Sequence, residues 1–591
     1  MALEEERSPH HGGTWTLRRP RSQARDVAGS LLGLGLLAGM IILSGLYSPA
    51  FATGGNTALV SRADGLAGTK GDDDSVAPSI SGDGHDIAFA SLATNLDPAA
   101  TNGVFARDLE MSTTRLVSRA TGATGAGADG AHPAFSANGR YVAFESQNLD
   151  PEPPRTWNIF VRDLQTDTTT LVSRANGPTG ARGDEISFEP SISADGRYVA
   201  FTSQSNLDPA DTGLQDVYVR DLQTDTTILV SRASGASGAK GNDHSFRPSI
   251  SADGRYVAFE SRATNLVPDD TDDGADIYVR DLQEDATTLV SRADGVTGTK
   301  ANNFSHHPSI SADGRWVAFD SSATDLDPAD PDGTEDVFAR DLEASTTTLV
   351  SRAPGASGVK GDDNSRNPSI SADGRYIAFH SVARNLSTRD DDGILDVYFR
   401  DLLTNATILI SRASGASGTK GNGDSGAPSI SASGRYVAFH STANNLHPAD
   451  SDHQFDVYRR DVLGPPGPDA DGDGVPDASD KCPAVAAHPG TPDGCPPIAR
   501  SLTLRYSNRS HAFKGRLSSA VATCRGDQPV KVFRKRRGHD RKLGQAITTP
   551  NGRYRVHQKR HPGRYYANTG ETVIPSAGRC EEARSKVRRL R

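Results

Sequence analysis

Cysteine is scarce in this chain: four among 591 residues, all beyond position 480. The long stretch before them has no thiol with which to form a disulfide or ligate a metal. Aromatics make up only 6% of residues against 59 glycines, a balance that suits many short strands and turns. Long apolar runs are missing too, with one exception. Arg18, Arg19, Arg21 and Arg25 precede an uncharged apolar stretch over residues 27–47, and Ala50-Phe51-Ala52 follows. A positive segment, an apolar segment and an A-x-A site are the parts of a secretory signal peptide, and the run would also span a membrane if left uncleaved. Residues 1–52 therefore read as a signal peptide or N-terminal anchor, and the chain as secreted, extracellular or cell-surface.

Charge is unevenly spread. The formal net is −10, yet residues 498–591 hold 24 Lys/Arg against 5 Asp/Glu, leaving the rest strongly acidic. A basic tail on an acidic body marks a domain boundary and points to an anionic partner for the tail.

Between these ends the sequence repeats. SISGDGHDIAF, AFSANGRYVAF, SISADGRYVAF (twice), SISADGRWVAF, SISADGRYIAF and SISASGRYVAF follow one another, preceded by Pro78, Pro133, Pro190, Pro248, Pro308, Pro368 and Pro428. Each unit reads as four strands: Ser-Ile-Ser, then Arg-Tyr-Val-Ala-Phe after a tight Ala-Asp-Gly turn, then Asp-Val-Tyr-Val-Arg, then Thr-Leu-Val-Ser-Arg. The second strand is apolar on both faces, as in a sheet stacked between sheets. A small residue recurs there (Ala88, Ala143, Ala200, Ala258, Ala318, Ala378, Ala438), allowing close approach. Seven four-stranded units predict an all-β, seven-bladed β-propeller over residues 53–463. A stray fourth-strand copy, TALVSR at residues 57–62, precedes the first unit, and the last unit stops after its third strand. The N-terminal strand is thus expected to complete the last blade and close the ring, removing an exposed edge. An uncleaved anchor would press that strand against a bilayer, which favours cleavage.

At these residues the chain resembles the WD40-like repeat of TolB-type propellers, with PSISADGRYVAFES followed by DVYVRDL. The resemblance implies the propeller and a binding or scaffolding habit; it implies no ligand.

GDSGAP at residues 423–428 looks like a serine-protease nucleophile loop. Ser425, however, aligns with Ser75, Ser187, Ser245, Ser305 and Ser365 and has no positioned base, so it reads as a repeat feature. A basic residue recurs eight positions before the proline: Lys70, Arg182, Lys240, Lys300, Lys360 and Lys420, with Gly125 in the second unit. Beside Asp72, Asp184, Asp243, Asn302 and Asp362, these six cations could hold an anionic or polyhydroxylated ligand; the structural alternative is that Lys and Asp pair and register the blades. Arg220-Asp221 and its equivalents recur in every unit and predict a structural Arg–Asp clip. The loops between second and third strands, such as PDDTDDGAD, are acidic and read as solvated turns. Histidines and a tryptophan that do not recur (His85, Trp157, His244, His306, His307, His380, His440) would mark an enzyme only if they converged on one face; His380 and His440 read as strand-end variation.

In PDADGDGVPDASDKCP, residues 468–483, acids stand at positions 1, 3, 5, 9 and 12 counted from Asp469. Such density suits an oxygen-ligated cation, and the flanking prolines exclude the helices of an EF-hand. The segment resembles a thrombospondin type 3 calcium repeat, which implies Ca²⁺ ligation by Asp469, Asp471, Asp473, Val475 (carbonyl), Asp477 and Asp480 in a linker over residues 464–497, with a Kd of roughly 10⁻⁴–10⁻³ M. Cys482 with Cys495 and Cys524 with Cys580 would close a short and a long loop; other pairings stay open. Residues 498–591 alternate short strands (501–506, 529–534, 553–557, 563–568) with turns. TTPNGRYRV resembles transthyretin-like or carboxypeptidase-regulatory modules, which implies a small β-sandwich.

Together these readings predict a non-catalytic, calcium-stabilised binding protein of the envelope or extracellular space. Its partners would be a protein or cell-wall polysaccharide, with an anionic polymer for the basic domain, no nucleic acid, and a membrane only through an uncleaved leader. A polysaccharide-active propeller lyase or hydrolase, and a purely structural spacer, are the alternatives.

Overall fold

The computed structural model describes residues 55–462 and 497–590, apart from residues 100–101, 150–155, 210, 212 and 416–417 in the first stretch and 499, 520–527, 536–539, 559–560, 570–571, 575–577 and 581–582 in the second. The leader, the acidic linker with Asp469, Asp471, Asp473, Val475, Asp477 and Asp480, and Cys482, Cys495 and Cys524 lie outside the described residues. Of Cys580 only the backbone, in the strand Gly578–Cys580, is described. Regular structure among the described residues is all β apart from a single 3-10 turn at Asn508–Ser510, and no helix among those residues is long and apolar enough to cross a membrane.

Residues 57–461 form seven four-stranded antiparallel sheets in a propeller-like arrangement. We number them 1 to 7 by their first strands: Ser75–Ile80, Ala131–Phe135, Ser187–Ile192, Ser245–Ile250, Ser305–Ile310, Ser365–Ile370 and Ser425–Ile430. Within a sheet the strands follow chain order. Sheet 7 is the exception. Its fourth strand is Thr57–Leu59, paired with Asp456–Asp461 so that Thr57 faces Arg460 and Leu59 faces Tyr458. Leu59 is buried with Val437, Phe439 and Tyr458, while Val60 reaches the core shared with sheet 1.

The doubly apolar strands form because each sheet is covered on both faces. Ala200, Val217 and Val219 of sheet 3 share one core with Val257, Phe259 and Tyr278 of sheet 4. First strands of successive sheets lie side by side, and the last lies beside the first. A serine hydroxyl in one first strand accepts the backbone N–H of the next, as in Ser191 to Ile250 and Ser369 to Ile430, both at 3.1 Å. Ser429 and Ile80, 3.1 Å apart, join sheet 7 to sheet 1. A second ring of backbone bonds links the turns, ending with Ala432 N–H to Gly82 O at 2.9 Å.

The recurring Arg-Asp pair proves to be two clips rather than one. Arg280 is buried and donates to Ala233 O at 2.8 Å and to Thr287 Oγ1 at 3.0 Å, tying its sheet to the incoming loop. Its neighbour Asp281 instead accepts two bonds from Arg255, at 2.9 and 2.6 Å, within the sheet.

The C-terminal region has two principal sheets. One joins Arg500–Leu502, Arg505–Ser507, Ala512–Ser519 and Arg553–His557; the other joins Pro529–Arg534, Arg541–Ile547, Gly563–Thr569, Ala583–Arg584 and Arg588–Leu590. Phe513, Leu517 and Val556 of the first share an apolar core with Val530, Val532, Tyr565 and Ala567 of the second.

Candidate ligand site at the mouth of the ring

The first strand of each sheet begins before its proline, where the sequence pattern suggests a loop. The residue just ahead of that proline is never glycine, yet it adopts a left-handed backbone: Ala77 (φ 49°), His132 (43°), Glu189 (54°), Arg247 (53°), His307 (50°), Asn367 (51°) and Ala427 (45°). Pairing with the second strand slips at this point, as between Phe246 and Ser249. Such a bulge re-aims a side chain, and its left-handed residue costs roughly 1–2 kcal/mol. The bulge belongs to the repeat itself, and the units differ in the side chain that it re-aims.

The re-aimed residues meet the fifth residue of the second strands: Glu145, Thr202, Glu260, Asp320, His380 and His440 in sheets 2 to 7. His132 Nδ1 lies 3.1 Å from Glu145. Glu145 accepts the Glu189 N–H at 2.7 Å, and Glu189 accepts the Arg247 N–H at 2.9 Å. The Arg247 guanidinium bridges Glu260 at 3.0 Å and Glu189 at 3.6 Å. His306 Nδ1 stands 2.7 Å from Glu260, and His307 Nδ1 3.0 Å from Asp320. Arg366 pairs with Glu335. An open pocket of about 550 Å³ is lined here by Glu189, Arg247, Glu260, His306, His307 and Arg366 among others.

Glu145, Glu260 and Asp320 are buried, and buried carboxylates persist only with paired cations or donors. Burial pushes the Glu189 carboxyl up despite the Arg247 charge. Burial also pulls His306 down, but its hydrogen bond to Glu260 and that carboxylate's charge outweigh it, leaving the imidazole above its ordinary value. His380 and His440 have no such carboxylate bond, and burial lowers both to about 4. Sheets 7 and 1 offer only small residues at the bulge, Gly426, Ala427, Val76 and Ala77. The mouth is therefore charged on one side and carries small uncharged residues on the other.

Most of the histidines that do not recur share this face. His244, His306, His307, His380 and His440 all end up at the mouth, His244 through Nδ1 accepting the Gln215 N–H at 3.1 Å. His85 lies elsewhere, beside Tyr436; Trp157 stands just before the third strand of sheet 2, the place that Gln215 and Glu335 hold in sheets 3 and 5, and its carbonyl accepts the Ser187 N–H. Glu145, Glu189, Arg247, Glu260 and Asp320 were not singled out by sequence reasoning. The usable signal was variation: in near-copies, the two residues before the proline and the one after Ala-Phe are those that change.

The recurring basic residues have a different setting. Lys300 Nζ lies 2.7 Å from Asp276, 3.0 Å from Asp272 and 3.7 Å from Asp270, all in the acidic loop of the preceding sheet. Lys240, Lys360, Lys420 and Lys70 repeat this with Asp211 and Asp216; Asp330, Asp332 and Asp336; Asp390, Asp392 and Asp396; and Asp450, Asp452 and Asp456. These five side chains are only 8–12% exposed. Arg182 follows sheet 2, where Asn158 replaces the aspartate. After sheet 1, which has Gly103 at that place, the equivalent position is Gly127 by its backbone bridge to Arg119, not Gly125 as spacing suggests. Cation and acid thus vanish together after sheet 1, whereas after sheet 2 the acid is lost and a cation is kept. Asp72 and Asn302, expected beside the lysines, bond Thr94 and Thr324 instead. In four loops the three carboxylates place oxygens within 4.8 Å of one another, a donor set that could take one metal ion; the lysine ammonium already stands among them.

Ser425 is fully buried and shares a 2.8 Å hydrogen bond with Ser441, as Ser245 does with Ser261.

No protein-family model matches this chain, and no curated protein matches it. Among solved structures, the GH74 enzyme of Niastella koreensis aligns over 82% of this chain and 67% of its own, at 10% identity and a TM-score of 0.23. That likeness is too slight to carry an argument.

Proposed function

We propose that the seven sheets are the blades of one closed β-propeller, that the C-terminal region is a β-sandwich, and that the protein is a secreted, non-catalytic binding protein which takes its ligand at the mouth of the ring. The observation that carries this reading is a concentration of chemical difference: seven near-copies carry histidine, arginine, acid or small residues in turn at the positions that converge there. Every acid named at the mouth is engaged. Glu145 faces His132, Glu189 and Glu260 share Arg247, Asp320 faces His307, and Glu335 faces Arg366. Such a surface hydrogen-bonds a polar ligand such as a glycan or peptide, and no group in it is left as a ready nucleophile. The linker would add calcium through Asp469, Asp471, Asp473, Val475, Asp477 and Asp480, rigidifying the join.

The test is retention of the leaderless chain on immobilised wall glycans and peptide arrays, beside the variant R247Q/H307Q. Loss of retention in the variant, with no soluble product from any glycan, is expected. Equal retention by both would move the ligand away from the mouth. Product release would favour the polysaccharide-active alternative, in which Glu189 and Glu260 act as the carboxylate pair.

A further inference from the structure

A surface in the C-terminal region carries charge that the ring does not explain. Arg505 stands opposite Lys514, and Lys514 opposite Arg555, in one row across three antiparallel strands. The next row on that face sets Arg516 opposite Arg553. Strands run about 4.8 Å apart, and like charges placed directly opposite destabilise a sheet. The alternating residues Tyr506, Phe513, Tyr554 and Val556 pack into the core, so the five cations share the outer face. Arg505, Arg516, Arg553 and Arg555 are exposed and Lys514 is half-buried. Asp540, bonded by the Tyr566 hydroxyl at 3.0 Å, is the sole acidic residue described between 500 and 590. Burial, with the charges of Arg555 and Arg505, holds the Lys514 ammonium below its ordinary value.

Among the described residues no carboxylate pairs with these cations, and like charges aligned in register cost stability unless anions are supplied to them. We infer that this face binds a linear anionic polysaccharide, its carboxylate or sulfate groups lying along the rows Arg505–Lys514–Arg555 and Arg516–Arg553. Guanidinium forks suit such groups through paired, charge-assisted hydrogen bonds. A single-stranded nucleic acid would want aromatic platforms for its bases, and the Phe and Tyr rings of these strands face inward. The inference is independent of the mouth of the ring.

Binding of the leaderless full chain to polygalacturonate and dextran sulfate, with duplex DNA alongside, is measured over a series of salt concentrations. The variant R505Q/K514Q/R555Q is expected to bind the polysaccharides at least about tenfold more weakly at 0.1 M salt, with a slope of log K against log salt shallower by about 2 to 3. Its thermal midpoint should hold or rise, since repulsion is removed. The charge-matched variant K531Q/R564Q/R589Q, on the other sheet, should stay within about threefold of the parent. Equal weakening by both variants would mean diffuse charge and overturn the assignment to this face. Absence of polysaccharide binding by the parent, or tighter binding of DNA at the same salt, would overturn the ligand class.

Discussion

Asp330 receives no phenolic hydrogen bond, because the residue placed to give one is Phe338. In four other sheets a tyrosine hydroxyl donates to the equivalent aspartate: Tyr218 to Asp211, Tyr278 to Asp270, Tyr398 to Asp390 and Tyr458 to Asp450. Asp330 is fully buried and neither carboxylate oxygen finds a hydrogen-bond donor, although Lys360 Nζ stands 3.6 Å away. Burial, then repulsion from Asp336, lifts this carboxyl to about 7.

Phe338→Tyr should supply the missing donor. A carboxyl whose folded pKa is raised keeps, between about pH 4 and 7, a proton that the unfolded chain has released. Its contribution to stability therefore falls as pH rises through that window. The new hydroxyl favours the ionised form, so F338Y is expected to stabilise by about 1 kcal/mol at pH 8 and by less at pH 5. Denaturant unfolding at the two pH values decides. A gain equal at both, or a loss, would mean the hydroxyl does not reach Asp330.

Lys300 holds together three carboxylates, of which Asp270 and Asp276 are buried. Lys300→Met strands them, and removal of one partner from a buried ion pair costs about 3–5 kcal/mol. The loss should be smaller at pH 5, because burial already lifts Asp276 to about 6 and it protonates there. With the ammonium gone, oxygens within 4.8 Å of one another make an oxygen-only seat for Ca²⁺. Millimolar Ca²⁺ should then raise the midpoint of K300M more than that of the parent. Equal shifts would show that the seat cannot open to a metal.

What sequence could reveal here follows from period and repetition. The doubly apolar Arg-Tyr-Val-Ala-Phe strand was legible because both faces meet neighbours, and the fourth-strand copy at Thr57–Leu59 was legible because the last unit lacks one. The first strands start earlier than the sequence pattern indicates. A proline preceded by Glu189, Arg247 or His307 looks like a strand boundary, and nothing in those letters announces a left-handed bulge that lets pairing continue past it. In the C-terminal region, the strands Ala512–Ser519 and Arg541–Ile547 are additional to those the sequence pattern predicts. Gly515 interrupts the apolar alternation of the first, and Gly544 that of the second.

Closure of the ring by the N-terminal segment sets up a complementation test. Deleting residues 53–63 removes Leu59 and Val60 from two cores, and with them Ser61 Oγ, which donates to Asp456 at 2.7 Å. Loss of two fully buried aliphatic side chains amounts to about 3–6 kcal/mol, and it leaves the strand Asp456–Asp461 as an open edge prone to pairing between molecules. The deleted chain should melt earlier and self-associate, and a synthetic peptide of residues 53–63 should reverse both. A melt unchanged by the deletion would show that the ring holds without its closing strand.

Sheet 1 alone breaks the clip that the other six sheets share. Arg140-Tyr141, Arg197-Tyr198, Arg255-Tyr256, Arg315-Trp316, Arg375-Tyr376 and Arg435-Tyr436 give way to His85-Asp86. Elsewhere the arginine grips the third-strand aspartate, while the aromatic ring fills the space under the next turn; a Cβ on Gly254 would meet Tyr198 at 2.1 Å. In sheet 1 Asp86 faces Asp108 across the strands. Burial, then the Asp108 charge, lifts the Asp86 carboxyl to about 6. By the linkage rule its ionisation lowers stability as pH rises from about 4 to 6. H85R/D86Y should replace that repulsion with a paired Arg–Asp bond and a packed ring, stabilising by about 1–3 kcal/mol at pH 7.5. Asp86→Asn separates the causes, since it removes the charge without building the clip. It should recover only the part that varies between pH 4.5 and 7.5, leaving a constant remainder to the double variant. If Asn at 86 alone matches the double variant at both pH values, the arginine clip contributes nothing, and its recurrence in six sheets needs another explanation.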